Sequence, residues 1–162
     1  HGAYAPDNSL IELDFPVLPV IEYKYGAANA EVAMISKILN GGFFDEIYKT
    51  TTVDDFLVLL PTGKAVEEVE PNFVEILKCS GGLWLFYTRF FCPKLGIYAD
   101  PVCGSAHCAL APYWSKKLGK CDFIAYQASP RSGVLNLHLD DENKRVLLRG
   151  KAVAVMEGTL LV

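Results

Sequence analysis

A chain of 162 residues, 51% hydrophobic and 21% charged, has the length and apolar content of one packed domain. Its net charge of −4 and pI near 5.3 argue against a nucleic-acid or anionic-membrane surface. No apolar run approaches the ~18 residues that a membrane-crossing helix needs. The first residues carry no secretory pattern, and the five cysteines (79, 92, 103, 108 and 121) form no paired framework. Free thiols in a reducing, cytoplasmic compartment are therefore expected. The chain begins with His1 and reads as a fragment or processed form of a longer protein.

In chain order, residues 1–9 read as a linker or ragged end. Residues 10–15 alternate, with Leu10, Glu12 and Asp14 opposite Ile11, Leu13 and Phe15, which predicts a strand. Pro16 and Pro19 restrict the next segment to an extended or edge position, with residues 20–25 a strand end and 26–29 a turn. Residues 31–40 place Val32, Ile35, Ile38 and Leu39 on one helical face, stopped by Gly41 and Gly42. Two strands are expected over 43–50 and 55–60, with 51–54 joining them. A turn at 61–63 precedes a short strand over 65–70. Pro71 suits the first position of a helix to Lys78, with Phe73, Ile76 and Leu77 inward. Gly81 and Gly82 interrupt the pattern before a long aromatic strand over 83–91, whose aromatics suit a core or interface better than a base-stacking platform in so acidic a chain. Beyond residue 119, strands are expected over 123–127, 134–139 (Leu135, Leu137 and Leu139 inward), 146–148, 150–156 and 159–162, with 140–144 a hairpin loop. The pattern is α+β, several strands around one buried helix.

That helix lies in the stretch 100–119, Asp-Pro-Val-Cys-Gly-Ser-Ala-His-Cys-Ala-Leu-Ala-Pro-Tyr-Trp-Ser-Lys-Lys-Leu-Gly. Pro101 biases Asp100 toward extended backbone, Gly104 is free to adopt an angle closed to other residues, and Ser105 is a good N-cap. From Ala106 the residues are apolar nearly all round, as in a helix buried on every side. Lys116 and Lys117 complement the dipole, and Gly119 is placed to cap the C-terminus. A carboxylate and a hydroxyl then meet the N–H groups of a helix start, a small anion site beside an acid/base group. The alternative is an Asx-type turn followed by an ordinary serine cap.

The run Asp-Pro-Val-Cys-Gly-Ser-Ala-His resembles the Asp-Pro-x-Thr/Cys-Gly-Ser-Ala signature of the phenazine-biosynthesis PhzF-like proteins, relatives of diaminopimelate epimerase, and most resembles the plant members. The likeness continues through 108–120, through Gln-Ala-Ser-Pro-Arg-Ser-Gly at 127–133 and into 149–159. It implies that residues 1–162 form one C-terminal-type lobe, a diaminopimelate epimerase-like mixed or antiparallel half-barrel around a central helix. Members of that family carry an extra strand and a Gly-rich loop before the Arg-Phe-Phe segment at 89–91, and this chain departs from them there, the region between Cys79 and Arg89 being compressed.

The resemblance implies cofactor-independent proton transfer on a small carboxylate-bearing substrate, with the general acid/base glutamate on an N-terminal half that this sequence lacks. Asp100, Ser105 and Cys103 take the catalytic positions. Gly104, Ala106, His107 and Arg131 take the substrate-binding ones, Arg131 on a rim loop with Gln127 and Gly133; a solvated turn is the plainer reading of that loop. Cys103 stands where the epimerase branch has a proton-transferring thiol, and a small residue in place of Thr is the other reading. His107, four residues on, shares a helix face with Cys103. That leaves open a Cys–His pair, a site with Cys108 or Cys121, or a packed histidine, although no Cys-x-x-Cys pair favours zinc. No metal is expected. His138 sits on the polar side of its strand. The chain alone is expected to be inactive without its other lobe. The alternatives are a non-catalytic module that dimerises through the surface that lobe would cover, and a thiol enzyme using Cys103 and His107.

Overall fold

The computed structural model describes residues 10–23, 30–52, 54–78, 83–85 (backbone), 88–152 and 158–159. The strands are β1 (Leu10–Pro16), β2 (Val20–Glu22), β3 (Glu46–Thr50), β4 (Phe56–Leu59), β5 (Leu83–Leu85), β6 (Arg89–Phe91), β7 (Asp122–Gln127), β8 (Gly133–Asp140) and β9 (Arg145–Lys151). The helices are α1 (Ala30–Ile38), α2 (Gly63–Glu68), α3 (Phe73–Ile76) and α4 (Gly104–Leu118). One sheet has the order β1-β9-β8-β7 and the other β2-β3-β4-β5-β6. All pairs are antiparallel except β4 with β5.

Helix α4 lies between the sheets. Ala106, Ala109, Leu110 and Tyr113 pack with Leu57 and Phe90 of the five-stranded sheet. Cys108 and Ala111 pack with Leu137, Leu139, Val146 and Leu148 of the four-stranded one. The far face of the five-stranded sheet buries Ile47, Phe56, Val58 and Phe91 against α1, α2 and α3. A strand buried on both faces reads as an unbroken apolar run, and Phe56-Leu57-Val58-Leu59 is one. The expected half-barrel around a buried helix is therefore observed.

Pro112 inside α4 has no N–H, so the carbonyl of Cys108 loses its helical donor. The N–H of Leu18 takes that place at 3.0 Å, tying the β1–β2 connection to the helix. On the other side, Thr88 stitches β6 to β7: its hydroxyl donates to the Tyr126 carbonyl, and its own carbonyl accepts from Ala128 N–H at 3.0 Å. Gly41 (φ 82°) and Gly119 (φ 65°) follow α1 and α4 in the left-handed region, as expected of C-terminal caps.

Several elements differ from expectation. The strand expected over 65–70 is α2: the Thr62 hydroxyl accepts from Ala65 N–H at 3.1 Å, and the side chain of Arg89 reaches the carbonyls of Val66, Glu67 and Val69. Helix α3 is capped by Asn72 with Pro71 outside it, and Leu77 is exposed rather than inward. The long aromatic strand is two short ones, β5 and β6, paired antiparallel. Strand β9 runs unbroken through Gly150. The expectations for 1–9, 24–29, 79–82, 153–157 and 160–162 lie outside the described residues.

Candidate functional site

Helix α4 starts two residues earlier than its sequence suggests. Cys103 occupies the N-cap position, and Ser105 sits inside the first turn with its side chain exposed. Gly104 needs no unusual backbone angle; among the described residues only Gly41, Gly96 and Gly119 are glycines with positive φ. What Gly104 supplies is room, since a Cβ there would lie 3.3 Å from Leu148 Cδ1. The first-turn N–H groups have no acceptor within the helix, so they form the donor end of its dipole.

The loop before the helix is held by a residue that the sequence reading left on the rim. Gln127, at 1% exposure, accepts from Cys103 N–H through Oε1 at 2.9 Å and donates from Nε2 to the Asp100 carbonyl at 2.6 Å. Ser129 adds a bond from its hydroxyl to the Pro101 carbonyl at 2.9 Å, and accepts from Ser132 N–H. At Gly133 a Cβ would meet Val102 Cγ2 at 2.2 Å, so only glycine lets the two loops lie this close. The sole sequence signal for the clamp was a glutamine ending a strand.

With its backbone clamped, Asp100 lines a cleft of about 840 Å³ together with Val102, Arg131, Gly133 and Lys151. Among the described residues its carboxylate oxygens accept no hydrogen bond. The cleft therefore carries one unsaturated acid with two basic residues on its walls, a setting for a small polar molecule.

The thiol of Cys103 is 3.3 Å from the Ser105 hydroxyl. Burial pushes its pKa up, against the opposing pull of Ser105 and the first-turn amides, so the sulfur stays protonated at neutral pH. His107 does not face that sulfur. Its Nδ1 lies 2.6 Å from the Cys103 carbonyl, and burial lowers its pKa, leaving a neutral ring. A Cys–His nucleophile pair is not assembled. Ala106 is buried against the five-stranded sheet and Arg131 is exposed at the cleft. The structure thus puts Asp100 and Arg131 on the cleft wall, sets Cys103, Gly104 and Ser105 at the adjoining helix start without lining that cleft, and turns Ala106 and His107 inward. His138 Nδ1 pairs with Asp122 across β7 and β8 at 2.9 Å, away from the cleft.

Cys92, Cys103, Cys108 and Cys121 are free thiols; Cys79 lies outside the described residues. Among the described residues no group of three or more His, Cys, Asp or Glu side chains is placed to hold a metal ion, and no helix is long and apolar enough to cross a membrane.

The family model for phenazine biosynthesis-like proteins, PhzC-PhzF, matches residues 4–158. An uncharacterized isomerase of Halalkalibacterium halodurans is 35% identical over 94% of this chain and 58% of its own length. A phenazine biosynthesis-like domain-containing protein of Bos taurus is 49% identical over 78% of this chain and 42% of its own. Among solved structures, a PhzF-family protein of Enterococcus faecalis superposes with a TM-score of 0.78 at 28% identity, covering 99% of this chain and 60% of that one. The chain spans about 60% or less of the length of each of these proteins.

Proposed function

We propose, from the premise that this chain belongs to the PhzC-PhzF family of phenazine biosynthesis-like proteins, that it is one lobe of a cofactor-independent isomerase. Its reaction moves a proton on a small carboxylate-bearing molecule. A base removes a proton beside an acidifying group, the electron pair spreads into that group, and the proton returns to a different carbon. The base is a carboxylate on the other lobe. Asp100 and Ser105 hydrogen-bond the substrate, the first-turn amides of Gly104 and Ser105 hold its anionic oxygen, and Arg131 meets its carboxylate at the rim. Cys103 acts as a protonated neighbour that positions Ser105.

The observation that carries this reading is the Asp100 carboxylate, unsaturated on a cleft wall at the start of a buried helix. A structural acid in an Asx turn would be spending its oxygens on nearby amides. The test is deuterium wash-in from heavy water into a panel of small carboxylates, read by mass spectrometry. The chain alone should be silent. Paired with an N-terminal lobe from a full-length relative it should exchange, and Asp100→Asn should slow that on the order of 10²-fold. Wash-in by the isolated chain, or an unaffected Asp100→Asn assembly, refutes the assignment.

A second reading, a dimerising module, is favoured by β1. Leu13 and Phe15 pair across the sheet with the buried Leu148 and Val146, yet stand 42% and 39% exposed. That apolar edge suits coverage by another lobe or by a second copy. Sedimentation separates the two, since a monomer that gains mass only with the N-terminal lobe excludes self-association.

A further inference from the structure

Helix α4 turns another face toward the seam between β6 and β7. His107, Leu110, Ala111, Trp114 and Leu118 recur every three or four residues and so stack along one side of the helix. With Phe123 and Ala125 of β7 they wall a cavity of about 300 Å³, at the lower end of the sizes small-molecule sites occupy. It shares no lining residue with the Asp100 cleft. The walls are almost wholly apolar. The hydroxyl of Thr88 is committed to the Tyr126 carbonyl, and Lys120 stands at the exposed end with Nζ 5.6 Å from the Phe123 ring centroid.

Among the described lining residues, one buried side-chain polar atom has no hydrogen-bond partner. His107 is 1% exposed, and a carbonyl can only accept, so the proton on Nδ1 goes to Cys103. Nε2 is therefore a bare lone pair, and among the described residues nothing donates to it. A carboxylate here would set lone pair against lone pair. An ammonium would lose its water to apolar walls, and a plain hydrocarbon would leave Nε2 unmet.

We propose that this cavity binds a small neutral ring compound carrying a hydroxyl, its O–H donating to His107 Nε2 and its ring lying against Trp114, Phe123 and Leu110. The site is independent of the Asp100 cleft and of the isomerase reading.

The probe is phenol, with toluene as the same shape lacking the donor, titrated into the chain with ¹⁵N-labelled histidine and followed by long-range ¹H–¹⁵N NMR. The free chain should show His107 protonated on Nδ1 only. Phenol should bind in the millimolar range and move the Nε2 resonance, while toluene binds on the order of tenfold more weakly and leaves it in place. Because His107 is buried and its replacement endangers the fold, Ala125→Leu on β7 provides the second arm, filling the cavity and abolishing phenol binding. The proposal is overturned by a free-state proton on Nε2, by equal affinities, by an unmoved His107 nitrogen at saturating phenol, by binding that survives Ala125→Leu, or by no binding at about 10 mM.

Discussion

At the C-terminal end of α4 the carboxylate of Glu46 accepts from three donors, whereas at the N-terminal end that of Asp100 accepts from none among the described residues. Glu46 takes the hydroxyls of Tyr48 and Tyr113 at 3.0 Å each and the ammonium of Lys117 at 2.7 Å. Lys117 and the two hydroxyls hold its pKa below the usual 4.5 against the effect of burial. Burial and the Glu46 charge together push Tyr48 up to about 12. This acid fastens the helix to β3. The other is left unsaturated, while the backbone beneath it is clamped by Gln127, Ser129 and the close approach at Gly133. The comparison teaches that rigidity and availability are supplied by different atoms: main chain and amide for the first, a bare side chain for the second.

The sharpest way to break this contrast is Gln127→Ala, which strips a buried N–H and a carbonyl of their partners at once. The expected cost is about 3 kcal/mol, read as a lower urea midpoint at unchanged slope. A midpoint that stays put would mean the clamp does not hold the site. Next comes Gly133→Ala, where the new Cβ must displace Val102; a loss of about 1–3 kcal/mol is expected from the same measurement. Wild-type stability there would show that the loops separate freely.

Glu46→Gln tests the opposite end, and its effect is smaller because Glu46 and Lys117 are each about a third exposed. About 0.5–1 kcal/mol should be lost near neutral pH. The sign with pH comes from the lowered pKa. The folded state binds this proton less readily than the unfolded one, so the stabilisation is complete above about pH 5 and is lost as pH falls through the folded value. The variant's stability should accordingly fall less steeply on acidification than that of the natural chain. Identical acid limbs would remove Glu46 from the account.

The smallest effect is an order of labelling. At neutral pH iodoacetamide should modify the exposed Cys121 before Cys103 and Cys108, since burial raises the pKa of both, that of Cys108 to about 11. Mass spectrometry of early time points checks this. Preferential alkylation of Cys103 would revive a thiol chemistry that the placement of His107 argues against.

Much of the architecture was legible because local chemistry and tertiary context agreed there. The alternation of Leu135, Leu137 and Leu139, the apolar face of α1 and the glycine after each long helix each point to one structure. Where short-range signals competed, the sequence misled. Residues 65–70 look like a strand until Arg89, some twenty residues on, meets the carbonyls that end α2. The signature at 100–106 marked the site, yet it named the wrong cap, because Cys103 N–H is satisfied by a glutamine 24 residues away.

By itself, then, the order of residues determined the elements whose stabilising contacts lie within a few positions, and it marked one helix start as chemically unusual. Only the tertiary structure decided which side chains are available there. It left Asp100 open while saturating Glu46, and it turned His107 from the thiol toward a cavity of its own. The physical reason is that a polar atom's state depends on the partners brought to it, and Gln127, Lys117 and the Cys103 carbonyl arrive through packing rather than through spacing.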